Sequence, residues 1–187
     1  MARLSLKPKM LNPNSWKQKY PPYESPITFM WPQKGFIKLN FDGAAKGKLG
    51  VEGSGGVFKD DKVNTICLFV MDCGTTRNNE AELYALKRGM EIAKRESFQR
   101  LEMEGDSNLA IEMVKKIQQG TTWEKISQIW RTTQLVKEIR NLIRRIDYIV
   151  PTHVRRLGNM AVDNLSNWGC GQAGKNLDIR GEELSQM

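Results

Sequence analysis

The sequence is short of several things, and each shortage narrows what the chain can be. Its longest uninterrupted apolar run is Ile66 to Met71, far below the roughly 18 residues a membrane-spanning helix needs. That run reads as a buried strand, and no membrane association is expected. The three cysteines, Cys67, Cys73 and Cys170, are odd in number and lack metal-ligand spacing. They read as free thiols in a reducing compartment. Histidine occurs once, as His153, and no internal repeat is visible. Acids are outnumbered, 21 Asp and Glu against 29 Lys and Arg, for a net charge of +8 and a pI near 9.5. That balance fits a polyanionic partner, although charge alone is a weak pointer.

What is present divides unevenly. Residues 1–30 hold five of the seven prolines (Pro8, Pro13, Pro21, Pro22, Pro26), five basic residues and one acid, Glu24. No apolar periodicity runs through them, so a basic tail or linker is expected there. The first 23 residues contain no acid, as in a transit peptide. Lysine outnumbers arginine and serine is sparse, so the nucleus or cytoplasm is the expected location. From Trp31 the pattern alternates. Strands are expected at 36–42, 53–59, 63–71, 100–105 and 146–150, and helices at 80–95, 108–118, about 124–144 and 159–169. The order implies an α/β domain over residues 31–172: a mixed five-stranded sheet with three antiparallel strands first, then parallel strands added through helical crossovers. Residues 173–187 read as a C-terminal tail. Trp123, Trp130 and Trp168 fall at helical core spacings and read as packing.

Two strands end alike. In one, Ile37, Leu39 and Phe41 share a face, leaving Lys38, Asn40 and Asp42 on the other. In the second, Leu101, Met103 and Gly105 oppose Glu102, Glu104 and Asp106. Side by side, these strands would bring Asp42 and Asp106 together. Each also has an ordinary reading, since Asp42-Gly43 is a turn signal and Asp106-Ser107 a helix N-cap. Glu82 heads a helical stripe of Ala85, Leu86, Gly89 and Ala93. A carboxylate there is partly buried, which costs unless a cation or hydrogen bonds compensate. Asp163 falls in the first turn of the last helix, where Asn159 can be the N-cap and the acid a helix-dipole partner. Four such acids, if gathered, would suit a hard divalent cation, which takes oxygen ligands. Periodicity does not show that they meet.

From about Trp31 to Gly169 the chain resembles the type 1 ribonuclease H family, in its plant retroelement-derived, reverse-transcriptase-like branch. The segment Trp31-Pro-Gln-Lys-Gly-Phe-Ile-Lys-Leu-Asn-Phe-Asp-Gly-Ala-Ala45 is similar to that branch's opening strand, and Gly53-Ser-Gly-Gly-Val57 to its glycine-rich second strand. Asn78-Asn-Glu-Ala-Glu-Leu-Tyr-Ala-Leu86 is similar to the first-helix motif, which selects Glu82 over Glu80, and Glu104-Gly-Asp-Ser107 to the third element. His153-Val-Arg-Arg-Leu-Gly-Asn-Met-Ala-Val-Asp-Asn-Leu165 is similar to the last, with the histidine ten residues before the acid.

The resemblance implies an RNase H fold and an endoribonuclease that cuts the RNA strand of an RNA–DNA hybrid, leaving 5′-phosphates. Asp42, Glu82, Asp106 and Asp163 would hold a pair of Mg²⁺ ions, which Mn²⁺ can replace. His153 would assist proton transfer, and its ordinary alternative is a strand-end histidine that packs. Gly43, Asn78, Asn79, Asn108 and Asn159 would face the hybrid, where amides can read ribose 2′-hydroxyls. A monomer is expected. The chain departs from some bacterial members in showing neither a basic handle insertion nor a separate hybrid-binding domain. Between Lys115 and Arg156, ten Lys and Arg against three acids form either a solvated helix face or a phosphate-contacting patch. The alternative reading is an RNase H fold kept as a silent nucleic-acid-binding module, such as part of a retroelement polyprotein. A lost acid would mark it, and none is lost.

Overall fold

In the computed structural model, the described residues are 31–45, 52–75, 78–121, 133–170 and 174–184. Six strands make one sheet: β1 (Ile37–Ala45), β2 (Glu52–Lys59), β3 (Thr65–Gly74), β4 (Arg100–Gly105), β5 (Tyr148–His153) and β6 (Asn176–Arg180). Their spatial order is β5-β4-β1-β2-β3-β6. β1, β2 and β3 form an antiparallel meander, and β4 and β5 run parallel to β1. The helices are α1 (Asn78–Arg95), α2 (Asn108–Gln118), α3 (Thr133–Ile143), α4 (Met160–Gly169) and the single turn α5 (Gly181–Leu184).

Each long helix forms for local reasons that the sequence states. α1 carries Glu80 in its first turn and Lys94 and Arg95 in its last, matching the helix dipole. α2 begins at Ser107, whose hydroxyl accepts from the Ala110 N–H at 3.3 Å. It stops before Gly120, where φ is +72°. Its buried residues, Ala110, Ile111, Met113, Val114 and Ile117, lie on one stripe. Together α1, α2 and α3 close one face of the sheet. Leu39, Phe41, Leu101 and Met103 pack there against Leu83, Leu86, Met90, Ile111, Val136 and Ile139.

α4 covers the opposite face over β1–β3. The approach is close because β2 lacks side chains there. A Cβ on Gly53 would collide with the Ser166 carbonyl and Cys170 N–H, and one on Gly55 would meet Leu165 Cβ at 2.9 Å. The glycine-rich strand is therefore the seat of the helix that carries Asp163.

The sheet has six strands rather than the five read from the sequence. The sixth, β6, lies in the segment assigned to a tail, and pairs antiparallel with β3 from Cys67↔Arg180 to Met71↔Asn176. Asn176-Leu-Asp-Ile-Arg180 is too short and polar for a strong alternation signal, with only Leu177 and Ile179 half-buried. Asp178 fixes it from the side, accepting from Arg88 at 2.8 Å and Arg95 at 2.7 Å. The helix read over about 124–144 is described from Thr133 onward, and Trp123 and Trp130 lie outside the described residues.

Candidate active site

The site grows from the pairing of β1 with β4. Lys38 stands opposite Glu102 and Asn40 opposite Glu104. Two residues further, on the same face, come Asp42 and then Asp106 just past the end of β4. The lower rungs find partners in place. Lys38, 1% exposed, binds Glu104 at 2.6 Å and Glu102 at 3.6 Å, and Asn40 donates to Glu104 at 2.9 Å.

Glu82 arrives from the other side of the sheet. Gly43 makes this possible, because a Cβ there would run into the Ala81–Glu82 backbone. The Gly43 N–H supports the Glu82 carboxylate. One carboxylate oxygen each from Asp42, Glu82 and Asp106 then lies within 4.8 Å of the others. Burial pushes Glu82 up to about 9, with Asp42 and Asp106 adding to the push and the Gly43 N–H and Arg156 opposing it. Burial likewise raises Asp42 to about 7. The Ser166 hydroxyl, donating to its Oδ2 at 2.5 Å, opposes the rise, while Asp106 and Asp163 reinforce it.

The donor set fits a hard cation. All three ligands offered are carboxylate oxygens, the preference of Mg²⁺ and Mn²⁺ rather than of a thiophilic metal. Glu82 Oε2 and Asp106 Oδ1 are buried without a hydrogen-bond partner among the described residues, a costly arrangement that a cation would relieve.

Asp163 stands beside this trio rather than in it. It is 6% exposed in the first turn of α4, and its Oδ1 accepts from Arg156 at 2.5 Å. His153, exposed at the end of β5, places Nε2 at 3.0 Å from the Asp106 carbonyl oxygen. A carbonyl only accepts, which assigns a proton to Nε2. Asn108 opens α2 and is exposed. Asn78 and Asn79 form the first turn of α1, next to Glu82, and their side chains lie outside the described residues.

Asn159 is placed otherwise than the sequence suggests. It stands at the N-cap of α4 but is 2% exposed and makes no side-chain cap bond. Its amide donates to the Phe41 carbonyl at 2.9 Å and so ties the start of α4 to the residue before Asp42. Two contributors escaped the sequence reading. Ser166 was findable, three residues after Asp163 on one helix face. Arg156 carried no periodic signal, because a short 3₁₀ turn, Arg156–Asn159, separates it from α4.

A three-strand meander extended by parallel strands, with acids delivered by β1, α1 and β4, defines an RNase H-like fold. The chain belongs to the reverse-transcriptase-like family, whose description matches residues 40–169. It is 27% identical over 148 residues to an Arabidopsis thaliana protein named as a ribonuclease H protein, covering 79% of this chain. The chain spans 23% of that relative's length. Among solved structures, it is similar to RNase H1 of the archaeon Halobacterium salinarum, at 26% identity and a TM-score of 0.59, covering 72% of this chain and 97% of the other. It is also similar to LC11-RNase H1, a protein isolated from compost by a metagenomic approach. In that protein's complex with an RNA/DNA hybrid, the identity is 28% and the TM-score 0.55, covering 73% of this chain and 98% of the other.

Proposed function

We propose that this protein hydrolyses the RNA strand of RNA–DNA hybrids, with a pair of divalent cations held by Asp42, Glu82, Asp106 and Asp163. The observation that carries the reading is the convergence of three carboxylates within 4.8 Å, two of their buried oxygens having no hydrogen-bond partner among the described residues. Ordinary folding does not favour such a cluster, because buried charges are normally paired. The LC11 structure, similar over nearly its whole length, is a complex with an RNA/DNA hybrid, which supports this substrate class.

When bound, divalent cations in such a site activate water and stabilise the leaving oxygen of a phosphodiester. The chain's own residues set the geometry. β1 and β4 hold Asp42 and Asp106 on adjacent strands, Gly43 admits Glu82, and Ser166 and Asn159 fix the end of β1 against α4. Hydrolysis adds water to phosphorus and breaks the bond to the 3′ oxygen, leaving a 5′-phosphate and a 3′-hydroxyl. His153 would pass a proton through Nδ1, with Nε2 held on the Asp106 carbonyl. Asn108, with Asn78 and Asn79, would read the 2′-hydroxyls, and the exposed Arg144, Arg145 and Arg155 would meet phosphates.

The test is cleavage of matched RNA–DNA, RNA–RNA and DNA–DNA duplexes with Mg²⁺, Mn²⁺ and chelator. Nicking of the RNA strand of the hybrid, lost in chelator, is expected. Equal cutting of DNA duplex, or no cutting of any substrate, overturns the proposal.

A further inference from the structure

The four acids are not in the same condition. Asp42, Glu82 and Asp106 present oxygens to one another, and no cationic side chain among the described residues pairs with them. Asp163 already has one, the guanidinium of Arg156. The two partners differ in freedom, the Arg156 side chain being 59% exposed and that of Asp163 9% exposed. The acid is fixed by its helix. Its neighbour one turn on, Ser166, binds Asp42, and Asp163 is near enough to act on the Asp42 carboxyl. Arg156 projects from a 3₁₀ turn whose preceding residue, Arg155, makes no side-chain cap bond. Its charge also reaches Glu82. Of this pair, the arginine is the member that can leave.

We propose that Arg156 is a displaceable cap on Asp163, holding that carboxylate while no divalent cation is bound there and releasing it when one is taken up. The inference rests on the metal-dependent reading of the site. A cation and a guanidinium compete for the same carboxylate oxygen, so the protein's own arginine lowers the affinity of this half of the site. Once released, a planar guanidinium beside the acids is suited to a phosphate oxygen of the bound strand. The pocket thus keeps its charge partly balanced when empty, and gains a phosphate ligand when loaded. Arg156 is a positioning residue in the first state and a substrate contact in the second.

The test is a cycle of Mn²⁺ binding by calorimetry, without nucleic acid, on the full chain and on Arg156→Gln, Asp163→Asn and the double variant. Arg156→Gln is expected to bind Mn²⁺ about threefold to tenfold more tightly than the parent, the range of a partly exposed ion pair with one buried partner. In the Asp163→Asn background the same change is expected to do nothing. A second measurement follows hybrid binding against salt, where Arg156→Gln should lower the slope of log K against log salt by about one. Unchanged or weaker Mn²⁺ binding by Arg156→Gln overturns the cap, as does an equal gain in the Asp163→Asn background, which would mark a general charge effect. Mn²⁺ binding by neither parent nor Arg156→Gln also overturns it. The two proposals fail separately. A protein that shows the full cycle but cuts no hybrid loses the nuclease reading and keeps the cap. One that cuts hybrid but shows no cycle does the reverse.

Discussion

Two stretches of the same pair of strands solve the same electrostatic problem in opposite ways. At the lower rungs of β1 and β4, Glu102 and Glu104 are answered by Lys38 and Asn40, and Glu102 also accepts the Gln33 N–H at 2.7 Å. At the upper end, on the same face, Asp42 and Asp106 meet a third acid, and no cationic side chain among the described residues pairs with them. Burial alone does not distinguish these stretches, since Lys38 and Asp42 are 1% and 3% exposed. Compensation does. Buried charge that is paired holds the strands in register. Buried acids without such partners mark a candidate binding site.

The sharpest way to break this contrast is at its unpaired end. Asp106→Asn should abolish hybrid cleavage while raising the melting temperature in chelator, because one of three crowded acids becomes neutral. It should also blunt the stabilisation that Mn²⁺ gives the parent by binding only the folded state. Thermal melts in chelator and along a Mn²⁺ titration read both effects. A parent whose melting temperature ignores Mn²⁺ would mean that the acids form no cation site.

His153→Ala should slow turnover about 10²–10⁴-fold without abolishing it, the usual contribution of a proton-handling group. Rates at saturating hybrid across pH 6–9 measure this. Parental rates throughout would return the histidine to packing.

Lys38→Met attacks the paired end. It leaves two carboxylates without their cation, and loss of one member of a buried pair costs about 3–5 kcal/mol. Denaturant unfolding gives the value, and a change below about 1 kcal/mol, the usual worth of an exposed pair, would show that the ladder is not what fixes the strands.

A further effect comes from pH. In the metal-free fold, Asp42 and Glu82 hold protons up to about 7 and about 9, whereas their ordinary values are 3.8 and 4.5. Their contribution to stability is full below the ordinary values and is lost as pH rises through the folded ones. Stability in chelator should therefore decline from pH 5 to pH 9.5, and Glu82→Gln should flatten the upper part of that decline. Melts across this range that rise with pH, or that Glu82→Gln leaves unaltered, would contradict the assignment.

Much of this was legible because strand alternation is a strict code. Polarity at every second residue placed Asp42 and Asp106 on one face before any fold was known, and the stripe behind Glu82 marked it as a buried acid. The adjacency of β1 and β4 was not legible from either strand, because it depends on the crossover through α1. Asn159 misled for a related reason. It does stand at the N-cap of α4, but its side chain turns to the Phe41 carbonyl, 118 residues away in sequence, instead of making a cap bond. Neither Arg156 nor β6 lies on a long periodic element, and partners distant in sequence decide what each does.

β6 has a consequence for how this domain keeps to itself. It occupies the outer edge of β3, the outermost strand of the meander. A chain trimmed at 173 would keep all four acids and both of their supporting strands. It would also present β3 as an open row of N–H and carbonyl groups, with Phe69 and Val70 along it, ready to accept a strand from any neighbouring molecule. Such a protein would keep the carboxylate cluster and differ from the full chain in the concentration at which it stays dispersed. The last few residues of the sheet serve as its hem.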